Sequence, residues 1–122
     1  MAAVNTTLRH LAASLAMAGT CLGPATAAPA SAWAQARDFV LARCLIDRYA
    51  GTPLGQEAEA WAGGIVERGS LPVAAYARLS ALVAKAPAPG TTPSGAVMRL
   101  ANCVDFHNDP HLQSRIRQIL AK

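Results

Sequence analysis

Cys103, His107 and His111 stand at steps of four within "LANCVDFHNDPHL", residues 100–112, and Cys44 lies far upstream. These residue types allow three chemistries. Thiolate and imidazole are ligands that zinc prefers, and four of them complete a tetrahedron. A free thiolate beside an oriented histidine makes a nucleophile–base pair. Two cysteines can instead form a disulfide that staples a small domain. The choice depends on where the chain resides and which elements carry these residues.

The first thirty residues bear on the compartment. Arg9 and His10 precede an uncharged run from Leu11 to Leu22, rich in Ala, Leu and Met. Gly23-Pro24 and then small residues follow, fitting Ala-x-Ala at 25–27, 28–30 and 30–32. These are the three zones of a secretory signal peptide, too short for a lasting transmembrane helix, which needs roughly twenty apolar residues. Residues 1–30 are therefore expected to be a leader, cleaved between about 27 and 32, with 33–122 forming one domain. Cys21 falls in the leader, and Ala18-Gly19-Thr20 before it makes a poor lipoprotein box. The mature chain keeps two cysteines, Cys44 and Cys103. In an exported protein such a pair is read as a disulfide, closing a loop of about sixty residues and contributing roughly 4 kcal/mol in the chain-entropy model.

Removing Arg9 leaves ten Lys/Arg against seven Asp/Glu. That mild excess contains no cluster along the sequence, so it supports neither a nucleic-acid nor a membrane surface, and a solvated exterior accounts for it.

The remainder reads as all-helical. Phe39, Val40, Leu41, Cys44, Leu45, Ile46 and Tyr49 spread around most of a helix over 36–49, the mark of a helix covered on several sides. Gly51 and Pro53 stop it. A second helix over 56–68 carries Ala58, Trp61, Ala62 and Ile65 on one face, and Gly63-Gly64 could admit a close backbone. Ser70 is placed to cap a third helix from Pro72 to Ala86, which buries Tyr76, Leu79 and Val83. Trp61 and Tyr76 are expected in the core. Residues 87–95, "PAPGTTPSG", form the one conspicuous loop, restrained by three prolines. A fourth helix over about 96–107 aligns Val97, Leu100, Cys103, Val104 and His107. Asp109-Pro110 opens a fifth, with Leu112, Ile116 and Ile119 buried. The expected fold is thus a small five-helix orthogonal bundle stapled by Cys44–Cys103.

On this frame the metal reading weakens, because Asp109-Pro110 breaks the helix between the histidines and a disulfide consumes both thiolates. An exported metal-binding or stress-related module using Cys44, Cys103, His107 and His111 is the alternative. Catalysis has little support: Glu57 and Glu59, two apart on a helix, point to different sides. No Gly-rich phosphate loop, His-Glu-x-x-His helix or Gly-x-Ser-x-Gly elbow occurs.

Three segments in order, "DFVLARCLIDRY" (38–49), "GSLPVAAYARLSALV" (69–83) and "CVDFHNDPHL" (103–112), together resemble one family. It comprises the immunity proteins that neutralise type VI secretion amidase effectors of the fourth amidase family, and the resemblance runs from about Ala36 to Leu120. It implies a periplasmic, all-helical homodimer without catalytic activity, cofactor or metal. It also implies a papain-like peptidoglycan amidase as partner, whose cleft is blocked by a loop between the third and fourth helices with help from the second protomer. Carried onto this chain, Cys44 and Cys103 are the paired cysteines, and Asp105-Phe106 the signature that follows. Pro87, Ala88, Pro89, Gly90, Thr91, Thr92, Pro93, Ser94 and Gly95 occupy the place of the inhibitory loop. The chain departs from the family in having His107-Asn108-Asp109 after Asp-Phe, and an uncharged, proline-rich loop.

Overall fold

The computed structural model describes residues 30–122, so the expected leader and Cys21 lie outside the described residues. Within them, five helices run in the order α1 (Ala32–Arg48), α2 (Pro53–Arg68), α3 (Val73–Val83), α4 (Arg99–Asn108) and α5 (Pro110–Leu120). The expected all-helical fold is present.

α1 starts one turn earlier than the apolar pattern suggests, because Ser31 caps it by accepting from the Ala34 amide at 3.1 Å. α2 likewise starts at Pro53: Thr52 accepts from the Gly55 amide at 3.2 Å, and the proline occupies the first turn, where no backbone donor is needed. Ser70 does not cap α3. Its amide instead donates to Gln35 Oε1 at 2.9 Å, tying the α2–α3 link to α1, and Pro72 takes the N-cap position. α5 begins as expected, with Asp109 accepting from the His111 and Leu112 amides.

α1 is the axis of the bundle. It touches all four other helices, and α5 closes the far side by touching α3 and α4. Accordingly its buried residues, among them Ala36, Phe39, Val40, Ala42 and Cys44, do not share one stripe. Leu79 of α3 and Ile116 of α5 are fully buried against this axis, each stabilising by roughly 2–3 kcal/mol relative to exposure. Phe39 and Tyr76 meet edge to face with centroids 4.9 Å apart.

α2 packs chiefly on α1 through small residues, Gly55, Ala58 and Ala62. The close backbone approach is at Gly55, where a Cβ would collide with the Tyr49 carbonyl. It is not at Gly63-Gly64, where no other backbone comes near. Tyr76 is in the core as expected. Trp61 is not: it remains 38% exposed, because Ala58 and Ala62 alone face α1 and the indole projects past the contact.

Cys44 and Cys103 form the disulfide, with S–S 2.08 Å and Cα atoms 5.7 Å apart. Both cysteines are essentially inaccessible, so the bridge is part of the core. It spans 59 positions, and the loop-closure argument assigns it roughly 4 kcal/mol. Replacing both cysteines by alanine should lower the urea midpoint by an amount corresponding to about 3–4 kcal/mol. The wild-type protein in reductant should show most of the same loss. An unchanged midpoint would mean that helix packing alone fixes α4.

Candidate functional site

The segment between α3 and α4 is a braced hairpin. An antiparallel bridge joins Thr91 to Val97. The Thr92 amide donates to the Ala96 carbonyl at 2.9 Å, the Gly95 amide to the Thr92 carbonyl at 2.8 Å, and the Met98 amide to the Gly90 carbonyl at 2.9 Å. The tip is therefore Pro93-Ser94-Gly95, with proline first and Gly95 at φ +87°, the chemistry that a three-residue hairpin loop demands. Thr92 Oγ1 adds bonds to Ser94 Oγ at 2.8 Å and from the Ala96 amide at 3.0 Å. These bonds correct the expected start of the fourth helix. Residues 96–98 are the returning arm of the hairpin, and α4 begins only at Arg99. The Ala96 amide and carbonyl and the Met98 amide are engaged across the hairpin, and only the Met98 carbonyl, accepting from the Asn102 amide at 3.0 Å, starts the helix.

The base of the hairpin is held from two helices. Arg48, the last residue of α1, donates from Nη2 to the Pro87 carbonyl at 2.7 Å and from Nε to Asn102 Oδ1 at 2.9 Å. Asn102 of α4 completes the triangle by donating from Nδ2 to the same carbonyl at 3.0 Å. Asn102 is adjacent to Cys103, so the disulfide fixes one arm of this clamp. The tip is exposed from Pro93 to Gly95, and only Pro89 and Thr92 are partly covered. An apolar strip continues from it: Val97, Met98, Leu100 and Val104 are all more than two-fifths exposed. The face assigned to the fourth helix is thus buried only at Cys103, while His107 and Phe106 are partly covered.

The structure disperses the other chemical candidates. The disulfide takes both sulfurs of the proposed metal set, and among the described residues no group of three or more His, Cys, Asp or Glu could hold a metal ion. His107 faces α1, where Arg37 Nη2 lies 3.4 Å from its Nδ1, while His111 is exposed in the first turn of α5. Phe106 packs against the core and Asp105 is exposed. Sequence reasoning missed Arg48 and Asn102, whose roles depend on a carbonyl 39 and 15 positions away.

Taken together, these features define a disulfide-stapled helical scaffold presenting a stiff, solvent-facing hairpin, the construction of a protein-binding domain. The sequence matches the Tai4 family, type VI secretion system amidase immunity proteins, over residues 34–116, and the chain belongs to that family. Among curated proteins, none matches the chain. The matched span contains α2–α4, all but the first two residues of α1, most of α5, the hairpin, both cysteines and the Arg48–Asn102 clamp.

Two predictions follow from this geometry. Arg48→Met, keeping the aliphatic stem, should speed amide exchange at Thr92 and Met98 while destabilising the whole domain by only about 1–2 kcal/mol. Exchange confined to its wild-type rate would show that the clamp is not what stiffens the hairpin. The second concerns His107, whose imidazole burial, and then the Arg37 guanidinium, hold below the ordinary 6.5, against opposing influences from Asn108 and Asp38. The unfolded chain then binds the proton more readily. This residue's contribution is full above the unfolded value and is lost as pH falls through the lower folded one. Urea midpoints should therefore drop as pH falls through the ordinary imidazole range and below it, and His107→Gln should flatten that slope.

Proposed function

We propose that this protein inhibits a cognate papain-like peptidoglycan amidase by inserting the 87–98 hairpin into its active-site cleft. The observation that carries the reading is the hairpin itself, set within a member of the amidase immunity family. Its backbone is internally bonded and its base is clamped to α1 and α4. A plug needs no chemistry of its own, only enough rigidity to exclude substrate. A hairpin already ordered before binding loses little conformational entropy on docking, which favours affinity. The exposed apolar strip at Val97, Met98, Leu100 and Val104 offers dry contact beside the plug.

The reading includes export to the periplasm, where the amidase meets its substrate, a homodimer whose second protomer contributes to the contact, and no catalytic activity. No helix among the described residues is long and apolar enough to cross a membrane. Among the expected cleavage registers, cutting after Ala27 preserves the start of α1. The Ala30 carbonyl accepts from Gln35 Nε2 at 2.6 Å and Ser31 caps the helix, and cutting after Ala32 removes both.

The test is inhibition of the amidase encoded beside this gene, acting on purified peptidoglycan, by mature protein. Stoichiometric inhibition is expected. Replacing Thr91, Pro93 and Ser94 by glycine should weaken inhibition at least about tenfold while leaving the helical circular dichroism unchanged. Full inhibition by that variant would place the plug elsewhere on the surface.

A further inference from the structure

The charge of this chain is unevenly divided. Residues 30–69 hold four arginines and five acidic residues, whereas residues 70–122 hold six Lys/Arg and only two aspartates. Four of those six cations line one furrow between α3 and α5. Arg78 and Lys85 stand on the α3 side, Arg115 and Lys122 on the α5 side, and Leu82 and Ile119 contribute apolar surface between them. The furrow encloses about 250 Å³. All four cations are exposed, and among the described residues the one salt bridge is elsewhere, between Arg43 and Asp47.

The cations are paired at the two ends. Arg78 and Lys122 border a further depression under the first turn of α3. Lys85 and Arg115 border another, shared with Asp109 and His111. The Asp109 carboxylate is already committed there, since it accepts from the His111 and Leu112 amides as the cap of α5. Along either side of the furrow the two cations are seven residues apart, close to two helical turns or roughly 10 Å. The result is an open trough with an apolar floor and uncompensated positive charge at both ends.

We infer that this furrow binds peptidoglycan itself, taking the carboxylate-bearing stem peptide of the wall polymer along its length. The inference rests on the export in the functional reading above, and on no contact with the amidase. A stem peptide is an extended chain with a free carboxylate at its γ-linked glutamate and another at its terminus. An extended chain advances about 3.3–3.6 Å per residue, so two carboxylates separated by two or three residues lie roughly 7–10 Å apart. That is the separation of the cations. Arg78 and Arg115 can each take a carboxylate through two parallel hydrogen bonds, while methyl and methylene groups of the peptide cover Leu82 and Ile119. Each exposed ion pair is weak in water. The polymer compensates by presenting the peptide repeatedly, so a released protein rebinds nearby. A lipid surface fits less well, since a planar array of phosphates does not enter a concave furrow. Held on the wall, the protein is concentrated where a peptidoglycan amidase must act.

The test is co-sedimentation of mature protein with purified sacculi, with no amidase present. Wild type is compared with Lys85→Glu/Arg115→Glu, with Lys85→Gln/Arg115→Gln, and with Gln56→Glu/Ala60→Glu/Arg68→Glu. The last variant changes net charge as much as the first, but on exposed positions of α2. Wild type should sediment with the sacculi and be released as salt rises from about 50 to about 300 mM, as the Debye length shrinks. The furrow reversal should lower retention at least about tenfold, the glutamine variant should fall between, and the α2 variant should stay within about twofold of wild type. Converting the wall carboxylates to methylamides should abolish wild-type retention. Equal loss by the α2 variant would reduce the effect to net charge and overturn the inference. So would unchanged retention of the furrow reversal, or undiminished binding to the amidated sacculi. Flotation with phosphatidylglycerol vesicles that matches retention on sacculi would assign the furrow to lipid instead. If cell fractionation finds the chain in the cytoplasm, the export reading itself fails. If the protein is periplasmic and inhibits the amidase but does not sediment with sacculi, only the wall site fails.

Discussion

The placement of α4, and of the hairpin that leads into it, depends on the bond between Cys44 and Cys103. α4 has one fully buried residue, Cys103, while Leu100 and Val104 of the same helix are 54% and 42% exposed. A ten-residue helix with so little apolar contact has weak reason to stay on the bundle, since short helices depend on packing for their stability. The covalent link replaces that missing burial. It fixes α4 to the axis at Cys103, next to Asn102, while Arg48 sits one turn beyond Cys44 on α1. The three-way clamp on the Pro87 carbonyl is thus assembled from residues that the bridge has already brought into register.

This arrangement lets the outer face of α4 be apolar without being core. In a bundle held only by the hydrophobic effect, Val97, Met98, Leu100 and Val104 would compete to turn inward, and the hairpin would lose its fixed exit angle. With the bridge holding the helix, these side chains remain outward beside the tip. A patch of this kind next to an ordered loop is surface suited to a partner, and the rigid hairpin lowers the entropic cost of using it.

Much of the scaffold was legible in the sequence because helical periodicity and capping are local. The stripe Leu112, Ile116, Ile119 and the Asp109-Pro110 start of α5 needed nothing beyond neighbouring residues. The disulfide was legible from the cysteine count and the expected export, which constrain pairing without geometry. What was not legible depended on distant backbone. Ala96–Met98 carry an apolar pattern that fits a helix, yet the bonds of Ala96 and of the Met98 amide go across the hairpin to Thr92 and Gly90. Trp61 follows the correct spacing for a buried face, but α1 is approached so closely at Gly55, Ala58 and Ala62 that an indole cannot fit between the helices. Arg48 and Asn102 look in sequence like ordinary polar surface, and only the path of the loop gives them a shared acceptor.

The same limit explains the charge. Read along the chain, Arg78, Lys85, Arg115 and Lys122 are isolated cations separated by up to thirty residues. Their pairing arises because α3 and α5 run antiparallel against the same side of α1, so that two sevenfold spacings fall opposite one another. The hairpin is uncharged and acts only at contact, whereas an unpaired basic furrow acts over a Debye length, roughly 8–10 Å at ordinary salt. Contact surface and long-range charge are therefore carried by separate parts of the molecule.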